Sequence, residues 1–162
     1  MYSAEIKKLA IELLECARDN KLKIVTAESC TGGLIIGALT EIAGSSDVVD
    51  RGYITYSNQA KHEEIGVSQD TLEIHGAVSE ETALEMVDGA LKGSKNSLAV
   101  AVTGIAGPGG GTSEKPIGLV HIAAQKMGSA PLHKKCLFGD IGRDKVREAT
   151  VIEALKLLSD AI

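Results

Sequence analysis

Residues 23–43 read KIVTAESCTGGLIIGALTEIA. Its first five residues, KIVTA, make the short apolar run of a buried strand. The next six, Glu28-Ser29-Cys30-Thr31-Gly32-Gly33, are polar or small and read as a turn. LIIGALTEIA at 34–43 has helical spacing, with Gly44 as its stop. A strand, a tight turn and a helix in succession are the building unit of an α/β sheet.

Ahead of this unit, residues 3–20 carry Ile6, Leu9, Ala10, Leu13, Leu14 and Ala17 on one helical face. On the other side, DRGYITY at 50–56 alternates like a strand. Ser57 or Asn58 caps a helix through Lys61 to Ile65, which Gly66 stops. A second short helix is predicted over 68–74. Ser79, followed by Glu80 and Glu81, opens a third that runs to about Leu91. SLAVAVT at 97–103 is a buried strand leading into a glycine-rich loop at 104–112. Strands at 118–125 and 133–138 suit an antiparallel pair, and a last helix is predicted over 143–158. Nothing repeats and no linker interrupts the pattern. The expectation is an α/β fold, a three-layer α/β/α sandwich around a mixed central sheet, with residues 1–162 as one domain.

Bulk properties exclude several classes. Apolar residues make up 44% of the 162 and aromatics only 2%, with no Trp, so the core must be aliphatic. Single-stranded nucleic acid needs stacking platforms that this chain lacks. A net charge of −5 without a Lys/Arg run gives no duplex-binding surface. The three cysteines, Cys16, Cys30 and Cys136, are odd in number and widely spaced, so they form no disulfide framework. No CxxC or His cluster suggests a metal site. The N-terminus does not read as a signal peptide and no apolar run reaches membrane length, so a cytoplasmic location is expected.

Four turns could carry chemistry. In Glu28-Ser29-Cys30-Thr31-Gly32-Gly33, glycines before a helix leave backbone N–H groups free, a natural oxyanion or phosphate site, with Ser29 as a nucleophile beside them. The layout resembles a nucleophile elbow without the GxSxG spelling. A tight turn whose hydroxyls merely cap the helix fits the same residues. Cys30 is the rival nucleophile, but none of the His residues at 62, 75, 121 and 133 has a recognisable spacing to it. Tyr56-Ser57-Asn58-Gln59-Ala60-Lys61 follows a strand, where a desolvated Lys61 could serve as a base; a solvated surface Lys is the commoner case. Thr103, Gly104 and Gly107 begin a loop that matches neither GxxxxGK[ST] nor GxGxxG, so it is no triphosphate loop, although its glycines allow close approach to a ligand. Arg143 and Arg147 have i,i+4 spacing and could clamp an anion. Asp140 capping a solvated helix start is the plainer reading and is preferred for Arg147; Arg143 stays open.

Taken together, TAESCTGG (26–33), IAGSS (42–46), RGYITYSNQAK (51–61), IGV (65–67), HGAVSEE (75–81), TGIAGPGGG (103–111) and KPIGLV (115–120) resemble the C-terminal domain family of the competence/damage-inducible protein CinA. The resemblance spans nearly the whole chain, in order. Larger CinA proteins carry a further domain ahead of this one, so the chain resembles the stand-alone, PncC-type nicotinamide-nucleotide amidases of the family. The resemblance implies hydrolysis of the carboxamide of nicotinamide mononucleotide to nicotinate mononucleotide and ammonia, with no metal and no organic cofactor. It implies a Ser–Lys site with a nearby Tyr, which matches Ser29, Lys61 and Tyr56. Glu28, Cys30, Thr31, Gly32, Gly33, Thr103, Gly104, Gly107 and Arg143 are the candidates for contact with substrate, with the N–H groups of residues 31–33 placed where the oxyanion could be held. In the family pattern Gly-Asp-Arg leads directly into the last helix; here Ile141 and Gly142 intervene, which leaves the reach of Arg143 open.

The expected partner is therefore a small molecule, neither nucleic acid nor membrane, and the composition does not forbid a homo-oligomer. Two other functions fit less of the sequence. One is a non-catalytic module that binds a nucleotide or a partner protein, of the competence/damage-inducible type. The other is an amidase for a different small amide.

Overall fold

The computed structural model describes residues 2–95 and 97–162. In chain order the elements are α1 (Ala4–Asp19), β1 (Lys23–Glu28), α2 (Leu34–Thr40), a 3-10 turn (Ser45–Asp47), β2 (Val49–Ile54), α3 (Asn58–Ile65), α4 (Gln69–His75), α5 (Glu80–Leu91), β3 (Ser97–Gly104), β4 (Leu119–Lys126), β5 (Leu132–Leu137) and α6 (Arg143–Asp160).

The five strands form one sheet in the order β2-β1-β3-β4-β5. β1 runs parallel to both β2 and β3, whereas β3–β4 and β4–β5 are antiparallel, so the sheet is mixed as expected. Side-chain alternation splits the core in two. Ile24, Leu98, Val100, Val102, Val120 and Ile122 pack against α1, α2 and α6. Val25, Ala27, Ala99, Ala101 and Ala123 face the opposite way, against α5 and the end of α3. The alanines on that second face let α5 lie close to the sheet. This is an α/β/α sandwich.

Two boundaries differ from the sequence expectation for identifiable reasons. The helix expected to reach Ala43 ends at Thr40, because Ile42 N–H bonds back only three residues, to Leu39 O, and the chain tightens into the 3-10 turn. β2 stops at Ile54 rather than Tyr56. Thr55 N–H still donates to Glu28 O, but the Thr55 carbonyl is turned away from the ladder and accepts a bond from Lys61 Nζ.

The strand order creates the site. After β1 the chain passes through α2 on one side of the sheet. After β2 it returns to β3 through the helices that pack on the other side. Between the carboxyl ends of β1 and β3 the connections therefore diverge and leave a crevice, the general ligand position of open α/β sheets.

Gly89 matters to this arrangement because it sits in α5 where α3 crosses. A Cβ built there would lie 1.8 Å from the backbone oxygen of Ile65. Gly89→Ala should therefore lower stability by about 1–3 kcal/mol through overpacking. That outweighs the ~1 kcal/mol helix-propensity gain. A thermal melt showing equal or higher stability would refute the close crossing.

Candidate active site

Ser29 is the first residue past β1, and its own N–H donates to Val102 O, so the sheet fixes its backbone. Gly32 and Gly33 follow at φ +58° and +99°, in the left-handed region that glycine adopts without penalty. The chain can thus reverse and enter α2 within a few residues. Glu28 holds the reversal from inside. Fully buried, it accepts bonds from Thr31 Oγ1 (2.6 Å) and from the N–H groups of Gly33, Ile35 and Ile36 (2.9–3.0 Å). These are the orphan donors of the α2 N-terminus.

That occupation narrows the expected oxyanion cradle. Gly33 N–H is spent on Glu28, and Gly32 N–H on the carbonyl of Ser29. Among the described residues, the backbone N–H groups of Cys30 and Thr31 donate to no other residue. Glu28, expected to touch substrate, is instead the internal brace of the turn, and the hydroxyl of Thr31 is committed to it.

Lys61 arrives from α3. Ser57 caps that helix, its Oγ accepting from Ala60 N–H at 3.0 Å, and Gly66 ends it. Lys61 is 1% exposed, and its Nζ donates to Ser29 Oγ at 2.9 Å and to Thr55 O at 2.8 Å. The structure thus brings together the two side chains that the sequence separates by 32 residues. Among the described residues no carboxylate contacts the amine. Burial pushes its pKa down from 10.5 to about 8. A neutral amine here keeps an N–H for Thr55 and offers its lone pair to the Ser29 hydroxyl.

Cys30 is buried beside this pair, and desolvation raises its thiol to about 12. The thiolate that a cysteine nucleophile needs is therefore scarce near neutrality. Among the described residues no histidine bonds to it: His62 Nδ1 lies 2.8 Å from Val67 O, and His121 stacks on His133.

Ser29, Cys30, Lys61, Tyr56, Thr103 and Arg143 line one cavity of about 210 Å³. Tyr56 stands at its rim, 61% exposed, with its hydroxyl accepting from Arg143 Nη2 at 3.1 Å rather than meeting Lys61. The second partner of the Lys61 amine is the Thr55 carbonyl. Thr103 closes the inner wall with its hydroxyl donated to Ala77 O at 2.6 Å. Gly104 lets β3 and β4 meet, since a Cβ there would sit 2.6 Å from Val120 Cγ2. The Gly107 carbonyl accepts from Arg143 Nη1 at 2.9 Å. The glycine-rich loop is tied down by Lys115, which donates to the His75 carbonyl.

The inserted Ile141-Gly142 does not remove Arg143 from the site. Ile141 is left exposed, Gly142 turns at φ +96°, and Arg143 reaches the cavity rim. Arg147 is the residue that sequence reasoning undervalued. Gly142, not Asp140, occupies the α6 cap position, with no side-chain cap bond, and Arg147 is not a solvated cation. Its Nε and Nη2 donate to the carbonyls of Cys30 and Thr31 at 3.2 and 2.8 Å. The i,i+4 spacing contained the signal: a helix that aims Arg143 at the site puts Arg147 on the same face.

The model for the CinA C-terminal domain matches residues 6–162. The nicotinamide-nucleotide amidohydrolase PncC of Escherichia coli K12 is 43% identical over 98% of this chain and 95% of its own length. A CinA-like protein of Syntrophobacter fumaroxidans is 47% identical over 89% of the chain, which spans only 34% of that relative. Among solved structures, the competence/damage inducible protein CihA of Agrobacterium tumefaciens superposes with a TM-score of 0.97 at 53% identity, covering 99% of this chain and 98% of that one. No helix of the described residues is long and apolar enough to cross a membrane.

Proposed function

The chain belongs to the family of CinA C-terminal domains, and from that membership we propose that it hydrolyses the carboxamide of nicotinamide mononucleotide to nicotinate mononucleotide and ammonia, using Ser29 as nucleophile and Lys61 as base. The observation that carries the mechanism is the 2.9 Å contact between a buried, carboxylate-free amine and a serine hydroxyl at the end of β1. The substrate rests on likeness to the E. coli amidohydrolase, matched over nearly the full length of both chains.

A carboxamide is a poor electrophile, so both partners need activation. Neutral Lys61 takes the proton of Ser29 as Oγ attacks the carboxamide carbon. The oxyanion so formed is met by the N–H groups of Cys30 and Thr31. Collapse breaks the C–N bond, and protonated Lys61 returns its proton to the departing ammonia. Water, deprotonated by Lys61, then attacks the ester on Ser29, and Lys61 returns that proton to Ser29 Oγ as the C–O bond breaks and the acid is freed. The cationic pyridinium of the substrate withdraws electrons from the amide and disfavours a charged amine nearby. Arg143, at the rim with donors to spare, suits the phosphate. Tyr56 positions Arg143 through its hydroxyl. Residues 1–162 act as one catalytic unit in this reading, with no cofactor required.

Ammonia release separates the alternatives. The mononucleotide should be turned over at least about tenfold more efficiently than the riboside or free nicotinamide, because a charge-assisted phosphate contact contributes on the order of 1.5–3 kcal/mol. Equal turnover of all three would make this an amidase for another small amide. Tight binding without ammonia from any of them would leave a non-catalytic binding module.

A further inference from the structure

Two features of the nucleophile turn are unused by the mechanism above. The Cys30 and Thr31 carbonyls both point at one guanidinium, that of Arg147. That guanidinium approaches from behind the turn. It lines a separate cavity of about 260 Å³ with Tyr2, Leu34 and Val151, on the α1/α6 side, and is absent from the lining of the Ser29 cavity.

In a planar trans peptide the C=O and N–H point in opposite directions. A cation held on the Cys30 carbonyl therefore sets the Thr31 N–H on the far side of the same peptide plane. Withdrawing electrons from that oxygen also makes the N–H a better donor. Glu28 grips the turn from its other end through the hydroxyl of Thr31 and the N–H of Gly33. The Cys30–Thr31 peptide thus has its oxygen fixed by a cation and its next residue fixed by a carboxylate, while its N–H is left unspent.

We propose that Arg147 is a positioning residue for the oxyanion site, orienting and polarising the Cys30–Thr31 peptide so that the Thr31 N–H meets the negative charge formed when Ser29 attacks. The proposal rests on the Ser–Lys reading and deepens it. Arg147 does not touch substrate. Its loss should leave binding intact and slow every reaction that passes through an anionic adduct on Ser29. Lysine can supply one of the two bonds, so it should restore part of the effect, whereas the neutral glutamine lacks the charge.

A fluorophosphonate ester tests this without relying on the nucleotide substrate. Ser29 Oγ bonds to phosphorus, the P–F bond breaks, fluoride leaves, and the serine proton passes to Lys61. Labelling of Ser29 is timed in the wild type, Arg147→Gln and Arg147→Lys, at a temperature where circular dichroism shows each folded. Arg147→Gln should label roughly 10–100-fold more slowly, a modest share of the 10²–10³ typical for deleting an oxyanion donor outright. Arg147→Lys should fall between, and kcat for the mononucleotide should drop in parallel with KM within about twofold of wild type. Wild-type labelling by Arg147→Gln overturns the proposal, as does a loss confined to KM. A wild-type protein that takes up no phosphonate overturns the serine mechanism and this proposal with it.

Discussion

Ser29→Ala is expected to lower kcat for ammonia release by about 10⁴-fold or more, with the melting temperature changed by only a few degrees. Loss of the nucleophile in serine hydrolases costs up to ~10⁶ in kcat, and what survives comes from binding and oxyanion donors. Here the substitution removes one oxygen from a residue whose backbone is held by Val102, so the turn stays in place. Lys61 keeps its bond to the Thr55 carbonyl. Cys30 cannot take over. With burial pushing its thiol to about 12, little of it is thiolate at pH 8. Thr31 cannot either, since its hydroxyl is buried and donated to Glu28. Steady-state ammonia release, with a thermal melt on the same preparation, checks both halves. Retained activity in Ser29→Ala would remove the serine from the mechanism.

The sequence made the pieces of this site visible and left its internal wiring hidden. The aliphatic runs of β1 and β3 were legible because both faces of a central strand are buried, which leaves little choice of residue. Ser57 and Ser79 were legible as caps because a hydroxyl before a helix has one common use, and each accepts from the N–H three residues on. The meeting of Ser29 with Lys61 came only through family resemblance. No local pattern states that α3 will cross α5 closely enough for Lys61 to reach β1. That depends on Gly89, which reads in sequence as a weak point in a helix.

Glu28 and Arg147 show a different limit. Spacing and motif can mark an acid or a base without saying that it serves the backbone of a turn, because its partners there are peptide groups that every sequence possesses. Glu28 looked like a substrate contact because it lies beside Ser29, yet it is consumed by the α2 N-terminus. Arg147 looked like a solvated helix residue because it lies 116 residues from the carbonyl it holds. The α2 boundary failed for a similar reason: Ile42 and Ala43 continue the apolar spacing, while the turn needed to bring Val49 alongside Ile24 ends the helix first.

Lys61→Met should abolish turnover by about 10³-fold or more and also flatten two pH profiles that the wild type shows. The base must be neutral to accept the serine proton, so wild-type kcat/KM should rise with pH through about 8 and level off above it. Any residual activity in Lys61→Met should lack that limb. Stability follows from the same proton. Folded, Lys61 loses it near pH 8; unfolded, near 10.5. Between those values the unfolded chain binds more protons, so the linkage sign makes unfolding costlier as pH rises. Below pH 8 both states hold the proton and the folded state carries a buried charge with only Thr55 and Ser29 as partners. The gap between 10.5 and about 8 corresponds to on the order of 3 kcal/mol in favour of the folded state, gained across that window. Denaturant titrations from pH 7 to 11 should show this rise in the wild type and its loss from the difference curve against Lys61→Met. Methionine fills similar volume without a charge to desolvate, so the variant should be the more stable protein at pH 7. A wild type whose stability and activity both ignore pH 8 would mean that the amine stays charged in the fold, and a charged amine cannot take the proton from Ser29.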